Sequence, residues 1–99
     1  MHKIEFLPIA LEDLRQIVRY ISVELKNPVA AEKIADEIIE KINRLEEFPY
    51  IAHVYIPQQP LEKEYRKLLV KNYSVFYTVE EETKTVTISR VLYNKRQFQ

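Results

Sequence analysis

The hydrophobic pattern of this chain changes period once, near residue 50, and that change restricts it to few folds. Before it, apolar residues recur at steps of three and four. Leu11, Leu14, Val18, Ile21 and Leu25, with Ile17 beside them, form one series; Ala31, Ile34, Ala35, Ile38, Ile42 and Leu45 form a second. Such spacing belongs to two amphipathic helices. After it, residues 65–70, 73–79 and 85–91 are rich in β-branched and aromatic side chains, with Tyr73, Val75, Tyr77 and Val79 alternating onto one face. That is the two-residue period of strands. His2 to Phe6 alternates weakly, Ile4 and Phe6 against Lys3 and Glu5, and predicts a short strand ahead of the helices.

The punctuation agrees with these periods. Pro8 suits the first turn of a helix, where its missing N–H is not needed. Asn27-Pro28 is a second helix start, with Asn27 as N-cap, and Phe48-Pro49 ends that run. The short link at Lys26-Asn27 folds the helices into an antiparallel hairpin, which the small Ala30 and Ala31 allow to close tightly. Glu12, Asp13, Arg15, Gln16 and Arg19 are expected on the wet side of the first helix. Residues 50–60, bounded by Pro49 and Pro60 and holding Pro57, read as a loop with a short strand near His53–Ile56. Lys71-Asn72 is a tight turn and residues 80–84 a charged hairpin tip. The expected architecture is α+β: an N-terminal strand, an antiparallel helix hairpin, then a three-stranded antiparallel meander in one sheet covered by the helices. Residues 1–99 are expected to form a single domain with the other sheet face left for partners.

At 99 residues the chain is long enough to bury a core without staples. It has no cysteine, which excludes disulfides and thiolate zinc sites and fits a cytoplasmic location. Charges at Lys3, Glu5, Glu12, Asp13 and Arg15 argue against a signal peptide or membrane span at the start. Neither metal nor cofactor is expected, and His2 and His53 read as surface histidines. Glycine is absent too, so backbone positions with positive φ are expected on Asn27, Asn43, Asn72 or Asn94. The formal net charge of zero argues against generic nucleic-acid binding, because phosphate neutralisation normally requires a basic surface. Basic charge is concentrated late: after Glu82 come Lys84, Arg90, Lys95 and Arg96 with no acid.

Two late segments carry a resemblance. Tyr65-Arg66-Lys67-Leu68-Leu69-Val70-Lys71-Asn72-Tyr73-Ser74-Val75-Phe76-Tyr77-Thr78-Val79 is followed by Ile88-Ser89-Arg90-Val91-Leu92-Tyr93-Asn94-Lys95-Arg96. In this order, behind a strand and two helices, they resemble the RelE/ParE toxin superfamily over essentially the whole chain. The resemblance implies the toxin of a type II toxin–antitoxin pair, one that inhibits growth, stabilises a plasmid and is neutralised by a cognate antitoxin. Some members cut messenger RNA in the ribosome and others poison DNA gyrase.

The residues favour the second kind. Metal-free RNA cleavage needs a proton acceptor, a proton donor and cations around the phosphorane. By the resemblance, Arg66 or Lys67 falls at the first cationic strand positions, and Arg96 matches a late arginine. Where an arginine commonly follows the turn tyrosine, Ser74 stands here, and no tyrosine follows Arg96. The candidate target-binding residues are therefore Arg66, Lys67, Arg90, Tyr93, Lys95 and Arg96. Arg66, Arg90, Tyr93 and Arg96 are expected to cluster at one end of the sheet and to bind rather than catalyse. Against this, Arg90 interrupts an apolar strand face and has an equal claim to be a structural arginine satisfied by a helix carboxylate. The tyrosines have a better claim to packing than to anchoring. The expected partners are an antitoxin and DNA gyrase, with self-association a further expectation. The alternatives are a ribosome-dependent mRNA endoribonuclease and an inactive interaction module of the same fold.

Overall fold

The computed structural model describes residues 1–94. Strand β1 (Lys3–Phe6) leads through Leu7 into helix α1 (Pro8–Arg19), which continues as a π-helical turn over Tyr20–Glu24. Helix α2 (Pro28–Asn43) ends in a 3₁₀ turn (Arg44–Glu46), and strands β2 (His53–Val54), β3 (Arg66–Val70), β4 (Tyr73–Glu80) and β5 (Thr85–Tyr93) follow. Asn27 caps α2 as expected, its side chain accepting from the Ala30 N–H at 3.1 Å. The five strands form one sheet in the order β1-β5-β4-β3-β2. β2 to β5 pair antiparallel in sequence, while β1 lies parallel to β5 at the far side. Everything between β1 and β5, the helix hairpin and then β2 to β4, forms the long connection that parallel neighbours require, since a tight turn cannot join them. The result is the expected α+β arrangement, with β1 incorporated into the same sheet.

The helices cover the sheet face that carries Val75, Tyr77, Val86, Ile88 and Val91, all almost fully buried. Ile38 and Ile42 of α2 and Leu45 just beyond it meet that face, and none is exposed. Tyr77 buries its ring in this core and donates its hydroxyl to the Pro49 carbonyl at 2.8 Å, pinning the long loop to the sheet. A buried phenol requires such a partner.

Helix α1 departs from the expected stripe. Its core line runs Ala10, Leu14, Ile17 and Ile21, whereas Leu11 and Leu25 are about half exposed. Asp13, expected on the wet side, faces the sheet instead. β1 stops opposite Ile88, but β5 continues for five more residues, so its edge there has lost its strand neighbour. Asp13 fills the vacancy: its Oδ2 accepts from the Val91 N–H at 2.9 Å and from Arg90 Nε at 2.8 Å, and Oδ1 accepts from Arg90 Nη2 at 3.1 Å. With this carboxylate on the sheet edge, α1 meets the core through Ala10, Leu14 and Ile17, and Leu11 faces solvent. Burial of the Asp13 carboxyl opposes ionisation, but the bonds from Arg90 and Val91 and the Arg90 charge outweigh it and hold its pKa below the usual value.

The backbone strain also falls elsewhere than expected. Positive φ occurs at Lys26 (51°), Lys71 (55°) and Lys84 (52°), not at the asparagines. Asn27 has φ of −135° because its side chain is needed as a cap, which hands the left-handed position to the residue before it. In the β3–β4 turn Lys71 takes that conformation ahead of Asn72. Each such residue costs roughly 1–2 kcal/mol of local strain.

Two measurements check this packing. Ile38→Ala removes a fully buried side chain from the helix–sheet interface and should lower unfolding free energy by about 2–5 kcal/mol in denaturant melts. Asp13→Ala should cost about 1.5–3 kcal/mol at neutral pH, the value of hydrogen bonds to a charged group. Since the folded pKa of Asp13 lies below its ordinary 3.8, the stabilisation is complete above that value and fades as pH falls through the lower one. The difference between wild type and Asp13→Ala should therefore shrink in melts at about pH 3; an undiminished difference there would show that the charge of Asp13 is irrelevant.

Candidate functional site

Two shallow grooves flank the sheet; Arg90 and Tyr93 line one and Arg66 the other, while Lys67 lines neither. One lies between α1 with its π turn and the far ends of β4 and β5, and has a volume of about 740 Å³. Its walls are mostly apolar: Tyr20, Ile21 and Leu25 on the helical side, Tyr73, Leu92 and Tyr93 on the strands. Tyr20, Leu25 and Tyr93 are each more than half exposed, so the apolar wall is open to a partner. Tyr73 and Tyr93 are opposed across β4 and β5 and meet edge to face at 5.6 Å. Burial, then the neighbouring Tyr93 and Tyr20, push the Tyr73 phenol above its usual pKa, so it stays protonated at neutral pH. The π turn sets the far wall: its wider winding brings Tyr20 and Leu25 round the end of α1.

Arg90 stands at the rim of this groove, fastened to Asp13 through Nε and Nη2, with its side chain 42% exposed. The Asp13 contact raises its already high pKa, so the guanidinium is always charged. The equal claim that Arg90 satisfies a helix carboxylate is met by this geometry, and the same geometry leaves it lining the groove. Lys71, in the β3–β4 turn, is the second cation on the rim and pairs with Glu37 of α2 at 3.4 Å.

Arg66 is placed elsewhere. It lies opposite Tyr77, and Arg90 opposite Phe76, so the two flank β4 on adjacent rungs, yet their side chains part. Arg66 donates from Nη1 to the Ala52 carbonyl at 2.7 Å, stacks over the Tyr50 ring at 4.9 Å and approaches Glu64 at 3.9 Å. It braces the loop after α2 and lines the other groove, about 620 Å³, with Lys3, Glu5, Thr78, Thr85 and Thr87. Lys67 shares the rung of Phe76 and Arg90, with its ammonium 5.8 Å from the rings of both Tyr55 and Phe76. Ser74 is buried and donates its hydroxyl to Asn94, so this position is spent on holding the end of β5. Lys95 and Arg96 lie outside the described residues. The expected cluster at one end of the sheet thus reduces, among the described residues, to Arg90 with Tyr93; Arg66 points into the other groove because its guanidinium finds two carbonyls and a ring there.

Sequence reasoning missed Asp13, Tyr20, Leu25 and Lys71 as members of this site. A usable signal existed for Asp13, since Arg90 within an apolar strand demands a carboxylate and Asp13 lies next to the apolar stripe of α1. The charged hairpin tip also proves structured. Glu81 accepts from Lys84 Nζ at 2.7 Å, from the Tyr50 hydroxyl and from His2 Nε2 at 2.9 Å, which in that order pull its pKa down to about 2. His2, read as a surface histidine, keeps only 11% of its side chain exposed. No group of three or more His, Cys, Asp or Glu among the described residues could hold a metal, and no described helix is long and apolar enough to cross a membrane.

No curated protein matches the chain. Among solved structures, the chromosomal ParDE toxin–antitoxin system of P. aeruginosa is similar with a TM-score of 0.77 and 22% identity, over 96% of this chain and 98% of that one. The isolated RelE toxin of E. coli matches with a TM-score of 0.70 and 17% identity, over 98% and 88% of the two chains. The RelBE2 toxin–antitoxin complex of Mycobacterium tuberculosis matches with a TM-score of 0.69 and 18% identity, over 94% and 98%. These likenesses establish the fold. The family model described as ParE toxin of the type II toxin–antitoxin system, parDE, matches residues 4–98. With nearly its whole length matched by that model, the chain belongs to the ParE toxin family of type II toxin–antitoxin systems.

Proposed function

We propose that the chain is a cytoplasmic, single-domain growth inhibitor that acts by binding DNA gyrase, and that a cognate antitoxin silences it by covering the groove between α1 and the ends of β4 and β5. What carries the binding reading is the use made of the described arginines. Arg66 is committed to the carbonyls and ring of its own loop and Arg90 to Asp13, while Ser74 is buried against Asn94. An RNA-cleaving centre needs cations free to converge on one phosphate and a group poised to move its proton. Arginines held in this way, on opposite sides of β4, do not converge on one phosphate, and Tyr73, high in pKa, is a poor proton acceptor. The antitoxin part is supported by the similar structures, which include ParDE and RelBE complexes. Open aromatic walls of this kind are what protein partners use as anchors. A plasmid-stabilising role is part of this proposal and requires both arrest and relief.

Regulated expression in a bacterium, with and without the neighbouring gene, tests the whole reading. Growth should stop, resume when the neighbour is co-expressed, and stop less completely with Arg96→Ala. Purified protein should inhibit supercoiling by gyrase and leave ribosome-bound messenger RNA intact. Codon-positioned cuts in sequenced mRNA ends, lost in Arg66→Ala or Tyr93→Phe, would overturn the gyrase reading in favour of the ribosome-dependent endoribonuclease.

A further inference from the structure

A second unpartnered surface lies at the opposite edge of the sheet from β1. Residues 48–61 hold no Asp, Glu, Lys or Arg, in a chain of which 30% is charged. A strip this free of charge is what a fold normally buries, yet here its apolar side chains face outward. Phe48, Tyr50, Ile51, Val54, Ile56 and Leu61 are all exposed, Ile56 by 85%. The segment nonetheless holds a defined shape. Tyr77 donates to the Pro49 carbonyl, and Arg66 donates to the Ala52 carbonyl and lies over the Tyr50 ring. Its strand, β2, ends the sheet, with no strand beyond it among the described residues. His53 pairs with Lys67, and the Tyr55 N–H donates to the Tyr65 carbonyl. The N–H and C=O of Val54, between them, therefore point away from β3. Natural edge strands are commonly guarded by charged side chains. This one carries no charge, and Pro57 confines it to a few residues.

We propose that this edge pairs with the same edge of a second copy of the chain, β2 against β2, antiparallel about a two-fold axis at Val54. The register is self-consistent. Val54 exchanges both backbone hydrogen bonds with its own counterpart and His53 faces Tyr55, so no charge opposes a like charge. At about half exposure each, the six apolar side chains offer roughly 600 Å² per copy, the lower end of the roughly 600–1,000 Å² per partner of specific interfaces. Glu47 and Glu62 bound the strip, as a charged rim bounds an apolar interface core. A dissimilar protein has to bring an equally charge-free strip, because any charge buried against this one goes unpaired. A second copy brings it by identity. Pairing of identical patches is closed, so the product is a dimer rather than a growing sheet. The groove beside α1 and the ends of β4 and β5 lies outside this contact, and each copy keeps it open.

Sedimentation of the intact chain over a dilution series should show a dimer that dissociates as concentration falls. Ile56→Lys places a charge in the strip and should raise the dissociation constant about tenfold or more. Its circular dichroism should be unchanged, because Ile56 is exposed. Tyr93→Ala, in the groove, should leave dimerisation unaltered. The chain has no cysteine, so one can be introduced to report the register. Cα atoms of a hydrogen-bonded antiparallel pair lie about 5.5 Å apart, inside the span of a disulfide. Val54→Cys should therefore oxidise to a covalent dimer, while Leu69→Cys, exposed on β3, should not. A monomer at every concentration would overturn the proposal. So would a dimer indifferent to Ile56→Lys, or a Val54→Cys chain that oxidises no faster than Leu69→Cys.

Discussion

A nine-residue strand cannot be paired along its whole length by a four-residue one. β5 is central in the sheet, yet β1 covers only its first four positions, and the backbone beyond Ile88 has to find another acceptor. A buried N–H left without one costs about 1–3 kcal/mol and invites pairing with another chain. Asp13 meets that need across 78 positions of sequence, and nearly everything distinctive about the molecule follows from it. It ties α1 to the edge of β5 and orients Arg90, and the apolar groove lies beside that tie.

Seen this way, Arg90 has two duties that do not conflict. One edge of its guanidinium closes the fold, and the other faces the groove. A lysine could not combine them, because a single ammonium offers no planar fork. Arg66 shows the contrasting case: two backbone carbonyls and an aromatic face absorb it into the support of the loop between α2 and β3. The difference between the two arginines is set by what lies within reach, not by the strand each stands on.

The loop itself is stabilised by small, distributed contacts. The Tyr77 hydroxyl holds Pro49, Arg66 holds Ala52, and Tyr50 reaches Glu81 at the far hairpin, where His2 and Lys84 also converge. These tie the N-terminal strand, the loop and the β4–β5 tip into one corner, away from the groove. One end of the sheet is thereby closed by polar contacts while the other keeps its aromatic wall exposed. Left-handed backbone at Lys26 and Lys71 lies at the tips that border that open end.

The sequence by itself determined the elements and their order, because the change from a three-and-four repeat to a two-residue repeat is a local property, and Pro8, Asn27-Pro28 and Pro49 mark the boundaries with local chemistry. It also determined which faces of α2 and β4 enter the core: Ile38, Ile42, Val75 and Tyr77 stand where their spacing puts them. Membership in the toxin family was legible as well, since two spaced segments carried it. Only the tertiary structure decided the parallel pairing of β1, the facing of α1, the use of lysines at positive φ and the separation of Arg66 from Arg90. Each of these depends on what is adjacent in space. A period of 3.6 tolerates an error of one residue in facing, and the partner that resolves it, the unpaired edge of β5, is not written near Asp13 in the chain.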